Sequence, residues 1–201
     1  TVEFSAGVSQ NEVAYATIGG DRLKSEVIRV RGNRADMQVF ESANGLKVGD
    51  PVEFTGELLS VELGPGLLTG VYDGLQNPLS LLAEKSGFFL QRGLYLNALD
   101  REKVWDFTAS AKPGDKVVAG DRIGSVPEGI FKHHIMIPFA WRGEWEIVSI
   151  EASASLRIAD AVARVRNAEG EEREVSMLQH WPVKIPIGDY QEKMLPEKTL
   201  I

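Results

Sequence analysis

The chain has 201 residues, 22 Lys+Arg against 29 Asp+Glu, and a formal net charge of −7. That acidic balance argues against a general nucleic-acid binder, which needs basic excess to release counterions, and more weakly against docking on an anionic membrane. Hydrophobic residues make up 43% and charged residues 25%, enough for a packed core, and the absence of cysteine removes disulfides, thiolate catalysis and Cys-ligated zinc. Such a length suits one or two domains.

The N-terminus, Thr1-Val2-Glu3-Phe4, shows neither a basic segment followed by an apolar one nor an initiator Met, so it reads as a processed or trimmed end. No apolar run approaches the roughly 20 residues of a spanning helix. Gly and Pro are spread through the chain and separate short apolar runs, which favours strands over long helices. Ser25–Val30 reads as a β-branched strand, Arg31–Arg34 as a turn, Ala35–Phe40 as the returning strand, and Val52–Thr55 and Leu58–Leu63 as two more. These predict a small antiparallel barrel over residues 1–64.

Gly64-Pro65-Gly66 breaks that pattern. Leu67, Leu68, Val71, Tyr72, Leu75, Leu79 and Leu82 then recur at spacings of three and four, which predicts a helical face from Leu67 to Ala83, interrupted or restarted at Pro78. Residues 65–108 read as an incomplete α/β segment. Strand texture returns over 109–180, with Gly-Asp turns at Gly114-Asp115 and Gly120-Asp121, strands at Trp145–Ile150 and Val162–Val165, and a charged hairpin tip at Asn167–Glu172. Residues 181–201, with Pro182, Pro186 and Pro196, read as a linker. The fold class is therefore mainly β: a barrel, a second β-rich module of hammerhead or barrel-like type, and a partial α/β segment between and after them.

Few residues invite a chemical role. His133 and His134 are adjacent, so in a strand they face opposite sides and cannot share one metal, and His180 is distant in sequence. Gly64–Gly70 is glycine-rich but lacks the Lys-Ser/Thr of a P-loop, so a tight turn is the better reading than a phosphate cradle. Asp50, Asp73, Asp100, Asp106, Asp115 and Asp121 mostly sit beside turn residues, where Asp hydrogen-bonds its own backbone. Trp105, Trp141, Trp145 and Trp181 fit a core better than an interaction surface. Gly114–Asp121 resembles a strand pair of biotinyl and lipoyl carrier modules, yet no hairpin lysine follows to carry the group.

Several stretches together resemble one family, the catalytic A subunit of rotary V-type and archaeal-type ATPases. Ser60–Leu68 and Val71–Leu79 are similar to its S-V-E-L-G-P-G-L-L and Y-D-G-I-Q-R-P-L. Gly45–Val52, Leu99-Asp100-Arg101, Trp105-Asp106-Phe107 and Met177–Val183 follow in the same order. Asn77 and Lys184 stand where the family has Arg, and Gln91-Arg92-Gly93 where P-R-G is common.

The resemblance implies an N-terminal part of a subunit that couples ATP synthesis or hydrolysis to H⁺ or Na⁺ transport. It implies alternating A/B hexamers, a peripheral stalk reached through residues 109–180, a central stalk, and a place on the cytoplasmic face of a membrane without insertion into it. ATP or ADP and Mg²⁺ would belong to the complete subunit. No residue of this chain is assigned a catalytic, cofactor-binding or metal role, and the piece alone is expected to be inactive. A free-standing β-rich binding or carrier-like module is the alternative.

Overall fold

The computed structural model describes residues 1–87 and 89–188. The predicted linker at 181–201 thus falls mostly outside the described residues. The described residues divide into two compact units, one drawn from residues 1–61, 70–98 and 182–184, the other from 62–69, 99–181 and 185–188.

The first unit carries β1 (Val2–Glu3), β2 (Glu12–Ile18), β3 (Asp21–Arg31), β4 (Arg34–Val39) and β5 (Val52–Leu58). They form one antiparallel sheet in the order β1-β4-β3-β2-β5. Two tight turns fix its register. Ile18 pairs with Asp21 across Gly19-Gly20, both at positive φ, where residues bearing a Cβ are strained. Arg31 pairs with Arg34 across Gly32-Asn33, the turn expected from the sequence. Register shifts at Val27/Arg29 and Glu12/Ala14 bend the strands, so the sheet curls into the barrel-like form expected of this segment. Val13, Ala14, Ala16, Leu23, Val27 and Ala35 are its buried apolar residues.

The helix is shorter than its periodicity implied. α1 spans Leu79–Ser86, and the apolar residues from Leu67 to Tyr72 lie outside it. Asp73 explains the difference. Its Oδ1 accepts the amides of Leu75 (2.9 Å) and Asn77 (2.8 Å), building a side-chain-closed turn that competes with helix. Gln76 adopts φ 63° within that turn. Pro78 is the N-cap, and Gly87 ends the helix at φ 66°.

The second unit holds β7 (Val104–Ala109), β8 (Lys116–Val117), β9 (Arg122–Glu128), β10 (Phe131–Met136), β11 (Trp145–Ile150), β12 (Ser153–Arg157), β13 (Ala161–Asn167) and β14 (Glu172–Ser176), with parts of the short β6 (Ser60–Leu63) and of β15 (Gln179–Pro182). Two four-stranded sheets, β10-β9-β7-β12 and β14-β13-β11-β8, account for β7 to β14, and β15 pairs with β6. Phe107, Ile123, Ile147, Val165 and Val175, drawn from both sheets, are fully buried in one cluster. Removing each such side chain from water contributes about 1.5–3 kcal/mol. Close approach at the centre of this core requires glycine: a Cβ on Gly124 would lie 2.3 Å from the Phe107 ring and 2.8 Å from the Thr108 carbonyl.

Candidate functional site

The glycine-rich turn is the natural place to look for anion chemistry, because backbone amides converge there. Its glycines are needed: a Cβ on Gly64 would meet the Met177 carbonyl at 2.7 Å, and Gly66 sits at φ 102°. The amides of Leu68 (2.9 Å) and Thr69 (3.2 Å), with the Thr69 hydroxyl (3.2 Å), all donate to Oε1 of Glu128 at the end of β9. His133 Nδ1, on β10, lies 2.7 Å from Oε2. Glu128 is 1% exposed. The anion that this loop binds is therefore a carboxylate of the protein itself. The loop is a braced turn, not a phosphate cradle, and its residues do not fit an ATP phosphate.

A second carboxylate, Glu62, stands at the start of the same turn. It accepts the Leu99 amide at 3.1 Å and the Arg101 guanidinium, and His180 Nε2 lies 3.6 Å away. Asp100 between them caps its own turn through the amides of Glu102 (2.8 Å) and Lys103 (3.2 Å). The Leu99-Asp100-Arg101 string thus holds the turn in place from the outside.

In the first unit, Asn77 is 4% exposed and bridges two segments. Its Nδ2 donates to Asp73 Oδ2 (2.9 Å) and its Oδ1 accepts the Leu96 amide (2.9 Å). Lys184 Nζ lies 2.7 Å from the buried carboxylate of Glu26 and donates to Asn11 Oδ1 at 3.2 Å. Asn77 and Lys184, which stand where the family has Arg, thus each make polar contacts to a carboxylate of the first unit. Arg92 binds Asp21 (3.0 Å) and the Asn44 carbonyl (2.8 Å), and Gly93 donates to Glu41 at 2.9 Å.

The remaining sequence candidates separate. His133 faces Glu128, His180 approaches Glu62, and His134 lies on the other face of β10. Burial lowers the His134 imidazole below its ordinary value, and the charges of Arg122 and Lys132 add to the effect, with His133. Among the described residues no three His, Cys, Asp or Glu side chains gather as a metal site. Asp50, Asp73, Asp100, Asp115 and Asp121 all close turns through backbone amides. Asp106 differs: it lies inside β7 and accepts the Ser155 hydroxyl at 2.7 Å. Trp105 and Trp145 are core, Trp141 packs on Trp145 at 5.1 Å, and Trp181 meets Phe139 edge-on at 6.0 Å. Glu26, Glu62 and Glu128, which hold these contacts, carry no sequence signal beyond their place in strands.

Residues 1–56 match the ATP synthase alpha/beta family beta-barrel domain, and residues 96–184 match the ATPsynthase alpha/beta subunit barrel-sandwich domain. All 201 residues align with the V-type ATP synthase alpha chain 1 of Treponema pallidum at 54% identity. The chain belongs to the ATP synthase alpha/beta family. Alpha chains of Borrelia hermsii (53%) and Treponema denticola (52%) align over the same full length. The chain spans about a third of these relatives, 34% or 35% of each. The curled sheet and the two-sheet unit account for the two ATP synthase alpha/beta domain matches. No helix among the described residues is long and apolar enough to cross a membrane.

Proposed function

We propose that this chain is the N-terminal, non-catalytic part of the alpha subunit of a V-type ATP synthase, an enzyme that couples ATP synthesis or hydrolysis to H⁺ or Na⁺ transport. The observation that carries this reading is identity of about half to V-type alpha chains across every residue of the chain. In this reading the curled sheet joins its counterparts on alternating beta subunits into a ring, where side-by-side interfaces close on themselves. Residues 109–180, most of the β-rich second unit, brace the peripheral stalk, and the complete subunit meets the central stalk on the cytoplasmic side of the membrane. ATP, ADP and Mg²⁺ belong to parts of the subunit beyond these 201 residues, because phosphoryl transfer needs a P-loop lysine and Mg²⁺ ligands. The chain's own task is positional, and alone it hydrolyses nothing.

Purifying the protein with an epitope tag from its source cells in mild detergent tests this. Recovery of a beta chain in equal amount, with ATPase activity, supports the proposal. Recovery of the tagged protein alone, folded but without a beta chain, contradicts it.

A further inference from the structure

The two sheets of the second unit end on strands of different character. β14 presents Glu172, Arg173 and Glu174, each already paired: Arg166 with Glu172, Arg164 with Glu174 and Arg173 with Glu171. An edge of alternating, internally neutralised charge resists added strands. β10 is also an edge, with β9 as its strand neighbour in the sheet, and it reads Phe131-Lys132-His133-His134-Ile135-Met136 without an acid. Lys132 lies opposite Pro127, His134 opposite Ser125, and Ser125 opposite Thr108, so these residues share one face of the sheet. A groove of about 380 Å³ beside them is lined by Thr108, Ser125, Pro127, Ile130, Phe131 and Lys132. Ile130, at the hairpin tip, is 88% exposed. Arg122 pairs with Met136 at the far end of the same strand.

We propose that the edge of β10 left unpaired by any strand among the described residues takes up an extended acidic segment of a partner protein as an added strand, its carboxylates over Lys132 and Arg122 and an apolar side chain against Ile130. An edge supplies main-chain hydrogen bonds, so the fitting partner is extended rather than helical. The local charge is positive on a chain of net charge −7, which selects an acidic partner. It also disfavours a second copy, whose β10 brings no carboxylate to meet Lys132 and Arg122. The inference does not rest on the alpha-subunit reading.

The probe is a fluorescein-labelled, end-blocked hexapeptide of alternating Glu and Val, titrated into the chain by anisotropy. Saturable binding is expected, with new amide-exchange protection at residues 131–136. Binding should weaken at least about tenfold in Arg122→Glu/Lys132→Glu, and the wild-type chain should bind a Lys-Val hexapeptide at least about tenfold more weakly. The second comparison needs no variant, so it stands if the double variant does not fold. No saturation up to about 1 mM, equal binding of both peptides, protection elsewhere, or a dimer through β10 by sedimentation would each overturn the proposal.

Discussion

The buried carboxylate of Glu128 accepts the Leu68 amide at 2.9 Å across 60 residues of sequence. Together with Thr69 and His133 it converts a flexible-looking glycine turn into a fixed corner of the second unit. Glu128→Ala leaves two part-buried amides and a hydroxyl without their acceptor, and should cost about 2 kcal/mol, with Glu128→Gln costing less. Urea unfolding should show a lower midpoint at unchanged slope. An unaltered midpoint for the alanine variant would show that the brace is dispensable.

Gly124 lies against Phe107, and the backbone cannot accept a methyl group there. Gly124→Ala should destabilise the second unit by about 1–3 kcal/mol through overpacking. A thermal melt of the variant matching wild type would contradict this packing.

Asn77→Asp keeps the acceptor for Leu96 but replaces the donor to Asp73 with a second carboxylate at a 2.9 Å contact. Like charges oppose ionisation, so the new acid should have a raised folded-state pKa. Its protonated form is then favoured by the fold, and stability should fall as pH rises past about 4, where the unfolded acid ionises. Unfolding measured from pH 4 to pH 8 should diverge progressively from wild type, and parallel curves would sink the idea.

Tyr95 supplies an alkaline signature. Burial pushes its hydroxyl well above the ordinary tyrosine value, and Glu41 adds to the effect against the opposing Lys24 amide. A raised folded-state pKa contributes stability below the unfolded value and loses it above. Stability should therefore decline above pH ~10, where the unfolded tyrosine ionises. Tyr95→Phe should flatten that decline, at the cost of the Lys24 amide's 2.6 Å hydrogen bond. An identical alkaline slope in both proteins would refute the assignment.

Lys184 neutralises Glu26, which is 5% exposed. Lys184→Met strands that carboxylate and should cost about 2 kcal/mol, discounted because the lysine itself is half-exposed. Lys184→Arg preserves the charge and should lose less than half as much. Equal midpoints for all three proteins in urea would show that the pair is idle.

Strand positions were legible where punctuation and alternation agreed. Trp145–Ile150 and the Gly32-Asn33 turn lie where the sequence places them. The helix is overextended in the sequence reading because apolar residues spaced by three and four also occur in an irregular segment, where Leu68 and Val71 are exposed and Asp73 closes a turn instead. The glycine loop is a turn in the structure, as its glycines and proline imply. Its brace was invisible, because Glu128 reaches Leu68 through a tertiary contact that no local spacing encodes. Asp106 was grouped with turn aspartates from its polar neighbours, whereas strand pairing sets it beside Ser155.

The most direct test of the account is a chimera in which these 201 residues replace the matching third of a relative's V-type alpha chain. ATP-driven ion transport should persist in vesicles carrying the chimeric enzyme, and should lose its coupling when residues 109–180 are deleted. A chimera that folds yet never assembles with beta chains would contradict the alpha-subunit assignment, and undiminished coupling after the deletion would contradict the role given to the β-rich unit.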